Sequence, residues 1–246
     1  MQCIVLAGGL GRRMLPRTER LPKCLLLVAG RPFVDWQLAW LAAQGIEHVI
    51  MSIGYRGEQV RRHLGDGSRF GVHLCYVDEG DAPLGTAGAL RLAVDQGVAE
   101  QTFFVLYGDS YLTADLGEIE TVYVAHDAPV LMTVYRDDDG LERPNAAFDG
   151  MMVTRYQKGL EDPPDEMRFV DYGLSVWERQ VVESMVPEGT SADLADLFKA
   201  LSESDRLAGL EIRERFYEIG SPRGLNDLEL YLRGAEALRT PPESSR

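Results

Sequence analysis

The chain has 246 residues, 45% of them hydrophobic, which suits one large α/β domain with a packed core and excludes a disordered chain. Its 39 acids against 25 bases leave a net charge of −14, which disfavours DNA or RNA backbones as partners. No apolar run reaches 18 residues, so no membrane span is expected; the chain enters Cys3-Ile4-Val5-Leu6 without a basic leader, so no signal peptide is expected; and Cys3, Cys24 and Cys75, without a CxxC pair, fit reduced thiols in a cytoplasm.

Residues 2–7 read as an apolar strand. Residues 34–44 carry a helical pattern, with Asp35 as candidate cap and Gly45 as stop. Strands at 48–53 and 72–77 flank a helix at 57–64. A helix at 86–96 leads to a strongly apolar strand at 102–107, which ends in Gly108-Asp109-Ser110. A helix at 116–126 and a strand at 129–135 continue the alternation expected of a parallel sheet with crossover helices. After Asp137 the pattern changes to short strands at 146–149, 152–157 and 169–176, with turns at Asp149-Gly150 and Pro163-Pro164. Helices at 179–185 and 192–201, a strand at 210–217 and a helix at 225–237 follow, and 240–246 reads as a frayed tail. No linker interrupts the chain. The expectation is a single α/β domain over 1–239, with a smaller second half (137–239) laid on the first (1–136).

The segment Leu6-Ala7-Gly8-Gly9-Leu10-Gly11-Arg12-Arg13 places a glycine turn after the first strand. Glycine has no Cβ to keep phosphate oxygens from the backbone N–H groups. Arg13 and Lys23 follow ten residues apart and can neutralise phosphate charge. Residues 1–34 carry six bases and one acid, a positive island in an acidic chain, which points to a small polyanion. Two familiar glycine motifs are excluded. Met14 stands where G-x-G-x-x-G needs its third glycine, and no P-loop pattern occurs. Only three of the 25 bases are lysines: Lys23, Lys158 and Lys199. Lysine retained in an arginine-rich chain suits places that need a compact ammonium, although any one of them also suits a solvated face.

Asp109 lies just past a strand end, where open parallel sheets bind ligands, and a carboxylate there can hold Mg²⁺ against a triphosphate or serve as a turn residue. Glu218, in Tyr217-Glu218-Ile219-Gly220, has similar placement and the same two readings. Asp78 and Glu79 precede the turn Pro83-Leu84-Gly85-Thr86-Ala87-Gly88. A carboxylate there can accept N–H donors from a nucleobase edge or sit in a solvated loop. The four histidines show no ligand spacing and read as structural, and Trp36 and Trp40, four apart on one helix, read as core.

Together these residues resemble the sugar-1-phosphate nucleotidyltransferases. The resemblance runs through 6–18, 21–33, 45–60, PLGTAGAL at 83–90, FVLYGDSYL at 104–112 and FYEIGSPRGL at 216–225. It implies a Rossmann-like three-layer sandwich with a mostly parallel central sheet, a nucleotide-binding half at 1–136 and a smaller sugar-binding lobe at 137–239. It also implies that NTP binds first and sugar 1-phosphate second. The sugar phosphate then attacks the α-phosphorus, and pyrophosphate leaves with Mg²⁺. By resemblance Leu6, Ala7, Gly8, Gly9, Gly11 and Arg12 hold the nucleotide, with Glu79, Gly85 and Thr86 at the base. Arg13, Lys23 and Asp109 are its catalytic positions, and Asp109 and Glu218 its metal positions. Tyr107, Asn145, Lys158, Tyr172 and Gly173 fall on the sugar-phosphate side. The chain departs from the family pattern at Arg12, where a small hydroxyl residue is usual, at Glu218, where Asp is usual, and in the longer stretch 78–82. No hexapeptide β-helix follows, so the resemblance is to the short form that acts on heptose, mannose or N-acetylmuramate 1-phosphates.

A sugar 1-phosphate is already ionised, so no general base is required, which agrees with the lack of a poised histidine. A carboxylate at Glu79 would match the two N–H donors of a guanine edge, so GTP is the expected nucleotide, with UTP and CTP as alternatives. The rival readings are a non-catalytic nucleotide-sugar-binding protein of the same fold and an NAD-dependent oxidoreductase. The residues leave the oligomeric state open.

Overall fold

The computed structural model describes residues 1–80, 82–138, 140 and 142–239; the expected tail at 240–246 lies outside the described residues. In chain order the first half comprises β1 (Gln2–Leu6), the short hairpin β2 (Leu27–Val28) and β3 (Arg31–Pro32), α1 (Phe33–Ala43), β4 (His48–Ile53), α2 (Gly57–Leu64) and β5 (His73–Asp78). It continues with α3 (Gly85–Asp95), β6 (Thr102–Tyr107), β7 (Ser110–Tyr111), α4 (Leu116–Val124) and β8 (Val130–Arg136). The second half adds β9 (Ala146–Phe148), β10 (Val153–Tyr156), β11 (Phe169–Glu178), α5 (Arg179–Met185) and α6 (Leu194–Glu203). It closes with β12 (Leu207–Ile212), β13 (Tyr217–Glu218) and α7 (Pro222–Arg239).

Nine strands from both halves share one mostly parallel sheet in the order β10-β9-β11-β6-β1-β4-β5, with β8 pairing β11 and β12. Strands β5, β4, β1 and β6 are parallel; β11 runs antiparallel to β6 and β8. Side-chain alternation assigns each face to its own core. Cys3, Val5, Met51, Phe104 and Leu106 pack with α1, α2 and α4 on one side. Ile4, Ile50, Phe103 and Val105 pack with α3, α5 and α6 on the other. A third, smaller cluster of Met14, Leu26, Val28, Ile219, Leu225 and Leu228 clamps the first loops against α7.

Several local expectations are corrected. Asp35 does not cap α1, because Pro32 occupies that place. Asp35 instead lies buried in the first turn, 2.6 Å from His63 and 3.5 Å from Arg69. His63 of α2 and Arg69 engage the carboxylate, which makes no capping bond to the helix. The strand expected at 210–217 divides into β12 and β13 around the charged stretch Arg213-Glu214-Arg215. Trp36 and Trp40 are half-buried, and the Trp36 indole donates to the Val28 carbonyl at 2.9 Å. Cys3, Cys24 and Cys75 are free. Among the described residues no helix is long and apolar enough to cross a membrane.

Candidate active site

Strand β1 has β4 on one side and β6 on the other, so the chain order reverses there. In doubly wound sheets ligands bind beyond the carboxyl ends of the strands at such a reversal. A cavity of about 660 Å³ opens at that place. Leu6, Ala7, Gly8, Gly9 and Gly11 form one wall, and Arg12, Arg13 and Lys23 continue it. The loop is tied to β4 by two bonds: Ala7 N–H donates to the Ser52 carbonyl at 2.8 Å, and Tyr55 N–H to the Gly8 carbonyl at 3.3 Å. Packing pins the bases in turn, since Met14 next to Arg13 and Cys24 next to Lys23 are both buried.

Asp109 projects from the turn between β6 and β7, and Lys23 Nζ pairs with its Oδ2 at 2.5 Å. Beneath this turn the buried Gln37 amide donates to the Tyr107 carbonyl at 2.8 Å and the Ser110 carbonyl at 2.7 Å. One side chain therefore spans the residues that flank Gly108-Asp109. Glu218 comes alongside because β13 pairs with β7 in the register Glu218↔Ser110, and Ile219 N–H donates to the Asp109 carbonyl at 2.9 Å. The Glu218 carboxylate accepts from Gly220 N–H and from the Ser221 hydroxyl, the latter at 2.7 Å. A Cβ at Gly220 would lie 2.8 Å from an Arg13 guanidinium nitrogen and 3.1 Å from Lys23 Nζ, so Arg13, Lys23 and Glu218 meet at this glycine. Glu142, which sequence reading missed, also lines the cavity. Burial and then Glu218 raise its carboxyl above the usual range, while Arg13 and Lys158 pull it down.

At the base end the Glu79 carboxylate crosses over Gly8, and a Cβ on Gly8 would collide with it. It accepts from Leu84 N–H at 2.9 Å and, at the longer distance of 3.4 Å, from the Ser52 hydroxyl. Burial raises the Glu79 carboxyl, and these two donors lower it in part. Gly85 and Thr86 line the cavity, but their local chemistry is turned toward the second half. Gly85 has φ +73°, and a Cβ there would strike the Ala192 carbonyl. The Thr86 hydroxyl donates to Asp193 at 3.1 Å and accepts from Leu194 N–H at 2.8 Å. This turn therefore also locks the start of α3 to the start of α6.

Tyr107, Asn145 and Lys158 also line the cavity, together with Tyr156, Asp171 and Asp193, which sequence reading missed. Tyr107 donates its hydroxyl to Asp171 Oδ2 at 2.9 Å, and Asn145 Oδ1 accepts from Asp171 N–H at 2.9 Å. Burial, then the Asp171 charge, hold the Tyr107 hydroxyl well above its usual range. Tyr172 and Gly173 require correction. Tyr172 is fully buried in the core against Phe216, and Gly173 packs on Ser110, so neither lines the cavity. The pairing of β11 with β8 shifts register between Asp171 and Ser175, and Gly173 has φ +97°. Asp171 is the last residue in register before this bulge and lines the cleft, whereas Tyr172 and Gly173 lie within the bulge. A strand pattern carries no sign of such a shift, although the Gly173 inside it was the available signal.

A nucleotide-sized cleft, a glycine loop at the switch point and two bases facing two acids define an α/β protein built for phosphate-bearing ligands. The nucleotidyl transferase family model matches residues 2–232, and the chain belongs to that family and, within it, to the sugar-1-phosphate nucleotidyltransferases. It is 31% identical over 247 residues to the mannose-1-phosphate guanylyltransferase of Mycobacterium tuberculosis, covering 97% of this chain and 67% of that one. It is 38% identical over 109 residues to the N-acetylmuramate alpha-1-phosphate uridylyltransferase of Neisseria meningitidis, covering 44% of this chain and 47% of that one. The chain spans about two thirds of the length of the mannose-1-phosphate guanylyltransferases it matches. Its fold is that of a crystal structure from Bacillus anthracis described as a glucose-1-phosphate thymidylyltransferase, with TM-score 0.82, 21% identity and 95% of each chain covered. It is also that of HddC from Yersinia pseudotuberculosis complexed with GMP-PN, with TM-score 0.73, 18% identity, and 94% of this chain and 99% of that one covered.

Proposed function

We propose that this cleft joins a nucleoside triphosphate, GTP by preference, to a sugar 1-phosphate and releases pyrophosphate in a Mg²⁺-dependent reaction in the cytoplasm. The observation that carries the reading is the convergence of Arg13, Lys23, Asp109 and Glu218 at the end of the glycine loop. Arg13 and Lys23 lie where charge builds on a leaving pyrophosphate. Lys158 lies further along the cleft, where a second phosphate would enter. Both reactants are phosphates, so positioning and charge balance supply the catalysis, and the site needs no side-chain nucleophile.

Among the described residues no three His, Cys, Asp or Glu side chains form a metal cage. A carboxylate on the β6–β7 turn and one on β13, which pairs with β7, nevertheless suit Mg²⁺, which commonly takes one or two protein carboxylates and completes its shell with phosphate oxygens and water. Asp109 and Glu218 would hold it, and it would neutralise charge on the triphosphate. Lys23, bonded to Asp109 here, would then be available to phosphate.

Glu79 supports the guanine preference. Its carboxylate lines the cleft, and two parallel acceptors match the N1–H and N2–H₂ edge, an arrangement uracil and thymine lack. The guanylyltransferase names among the relatives agree with it. The family placement does not favour a non-catalytic binding protein or an oxidoreductase. The test is pyrophosphate release with GTP, UTP, CTP, ATP and dTTP, each with mannose 1-phosphate and Mg²⁺. GTP should turn over fastest. A pyrimidine preference would sink the guanine argument, and release with NTP alone would contradict the two-substrate reaction.

A further inference from the structure

We propose that the far end of the cleft selects an uncharged, polyhydroxylated sugar 1-phosphate and rejects one that carries a carboxylate, with Asp171 as the residue that sets the choice. The inference rests on the reading of the cleft as a nucleotidyltransferase site and narrows its sugar.

Asp171, in register with Val134 just before the shift in β11, lines the cleft, and its surroundings fix the carboxylate there. Oδ2 accepts from the Tyr107 hydroxyl and Oδ1 from Gly173 N–H, both at 2.9 Å. Its own N–H is held by Asn145. Each carboxylate oxygen has lone pairs beyond these bonds, so the group offers acceptors to whatever enters. Asp193 is a second acid on the cavity lining, exposed and held by the Thr86 hydroxyl at 3.1 Å and by Ala195 N–H at 2.9 Å. Tyr107 and Tyr156 line the same cavity, and both hydroxyls are raised by burial first and then by charges that include Asp171 and Asp193. Burial lifts the Asp171 carboxyl above its usual range, while Gly173 N–H, the Tyr107 hydroxyl and Lys158 pull it back.

The cations of the cavity are distributed unevenly. Arg12, Arg13 and Lys23 belong to the glycine-loop wall. Lys158 lines the cavity and lowers both the Asp171 and the Glu142 carboxyls, so it is the cation available here to counter the charge of the 1-phosphate itself. The same cavity presents Asp171, Asp193, Tyr107 and Tyr156. Sugar hydroxyls donate to such a wall. A second anion would meet like charge in a partly desolvated place, where a repulsion at about 5 Å corresponds to roughly 100-fold in affinity or more.

The test measures kcat/KM for pairs of sugar 1-phosphates that differ by a carboxylate: glucose against glucuronate, and N-acetylglucosamine against N-acetylmuramate. GTP and UTP each serve as co-substrate. The expected result is a loss of roughly 100-fold for the carboxylated member of each pair. Asp171→Asn should narrow that ratio at least about 10-fold while the KM for NTP stays unchanged. A purely structural role for Asp171 would lower all four sugars together and leave the ratio intact, which would overturn the assignment. Equal use of the carboxylated sugars would overturn the inference alone. No pyrophosphate from any sugar 1-phosphate would overturn the reading of the site, and the inference with it.

Discussion

The two walls of the cleft are built by opposite means. The glycine-loop wall is local in sequence: residues 6–13 and Lys23 lie within one short segment, and its chemistry is backbone amides and positive charge. The far wall is assembled from Tyr107, Asn145, Tyr156, Lys158, Asp171 and Asp193, which come from distant parts of the chain, and hydrogen bonds join Tyr107, Asp171 and Asn145. The first wall suits a group common to all nucleotides, the phosphate chain. The second suits the part of the reaction that differs between relatives, the sugar. Changes on the first wall should therefore lower turnover with every sugar, and changes on the second should alter which sugar is used.

The largest expected effect is at the junction of the walls. Asp109→Asn should lose about 100-fold or more in kcat, the size of loss seen when one transition-state charge contact is removed. Pyrophosphate assays at saturating substrate check this, and near-normal turnover would remove Asp109 from the reacting centre. Gln37→Leu takes away both bonds that hold the Asp109 turn while leaving the site's own side chains in place. It should cost roughly 10-fold in kcat together with on the order of 1–3 kcal/mol of stability, because two carbonyls lose their buried donor. Unchanged kinetics in a destabilised protein would show that the turn holds without it.

Two glycines separate function from fold. Gly85→Ala places a Cβ on the Ala192 carbonyl at φ +73°, so it should cost on the order of 1–3 kcal/mol, read as a lowered unfolding midpoint. Gly8→Ala meets only the end of the Glu79 side chain. It should leave the midpoint nearly unchanged and erode the preference for GTP over UTP by about 10-fold, the scale of one hydrogen-bonded edge. An intact base preference in that variant would move base reading away from Glu79.

The smallest effect is one of pH. Burial raises the Glu79 carboxyl above its usual 4.5. A carboxyl raised in the fold binds its proton more readily folded than unfolded, so ionising it costs stability. That cost grows from pH 4.5 upward through the folded value and is constant above it. Glu79→Gln should therefore gain on the wild-type chain in unfolding midpoint across that window. A difference that shrinks as pH rises would show the opposite sign.

What the sequence disclosed follows the same division. Continuous apolar runs announced β1 and β6, and the glycine loop and Asp109 follow from their ends, because one-dimensional spacing fixes them. Glu218 was legible through its position after a short strand, although that strand was expected as part of a longer one reaching back to 210. Asp171 and Asp193 were not legible. The first stands at the edge of a register shift that a strand pattern does not reveal, and the second caps α6, a helix expected to begin at 192. Gln37 gave no signal, since a polar residue on a buried helix face shows its purpose only when the carbonyls opposite it are known.

The division between the walls is tested most directly by measuring Lys23→Ala and Lys158→Ala side by side, with kcat/KM determined separately for NTP and for sugar 1-phosphate. Loss of one charge-assisted contact is worth roughly 10- to 100-fold. Lys158→Ala should show that loss in kcat/KM for sugar 1-phosphate with NTP binding nearly intact, and Lys23→Ala should show it for NTP or in kcat. Identical defects in the two variants would contradict the assignment of one wall to each substrate.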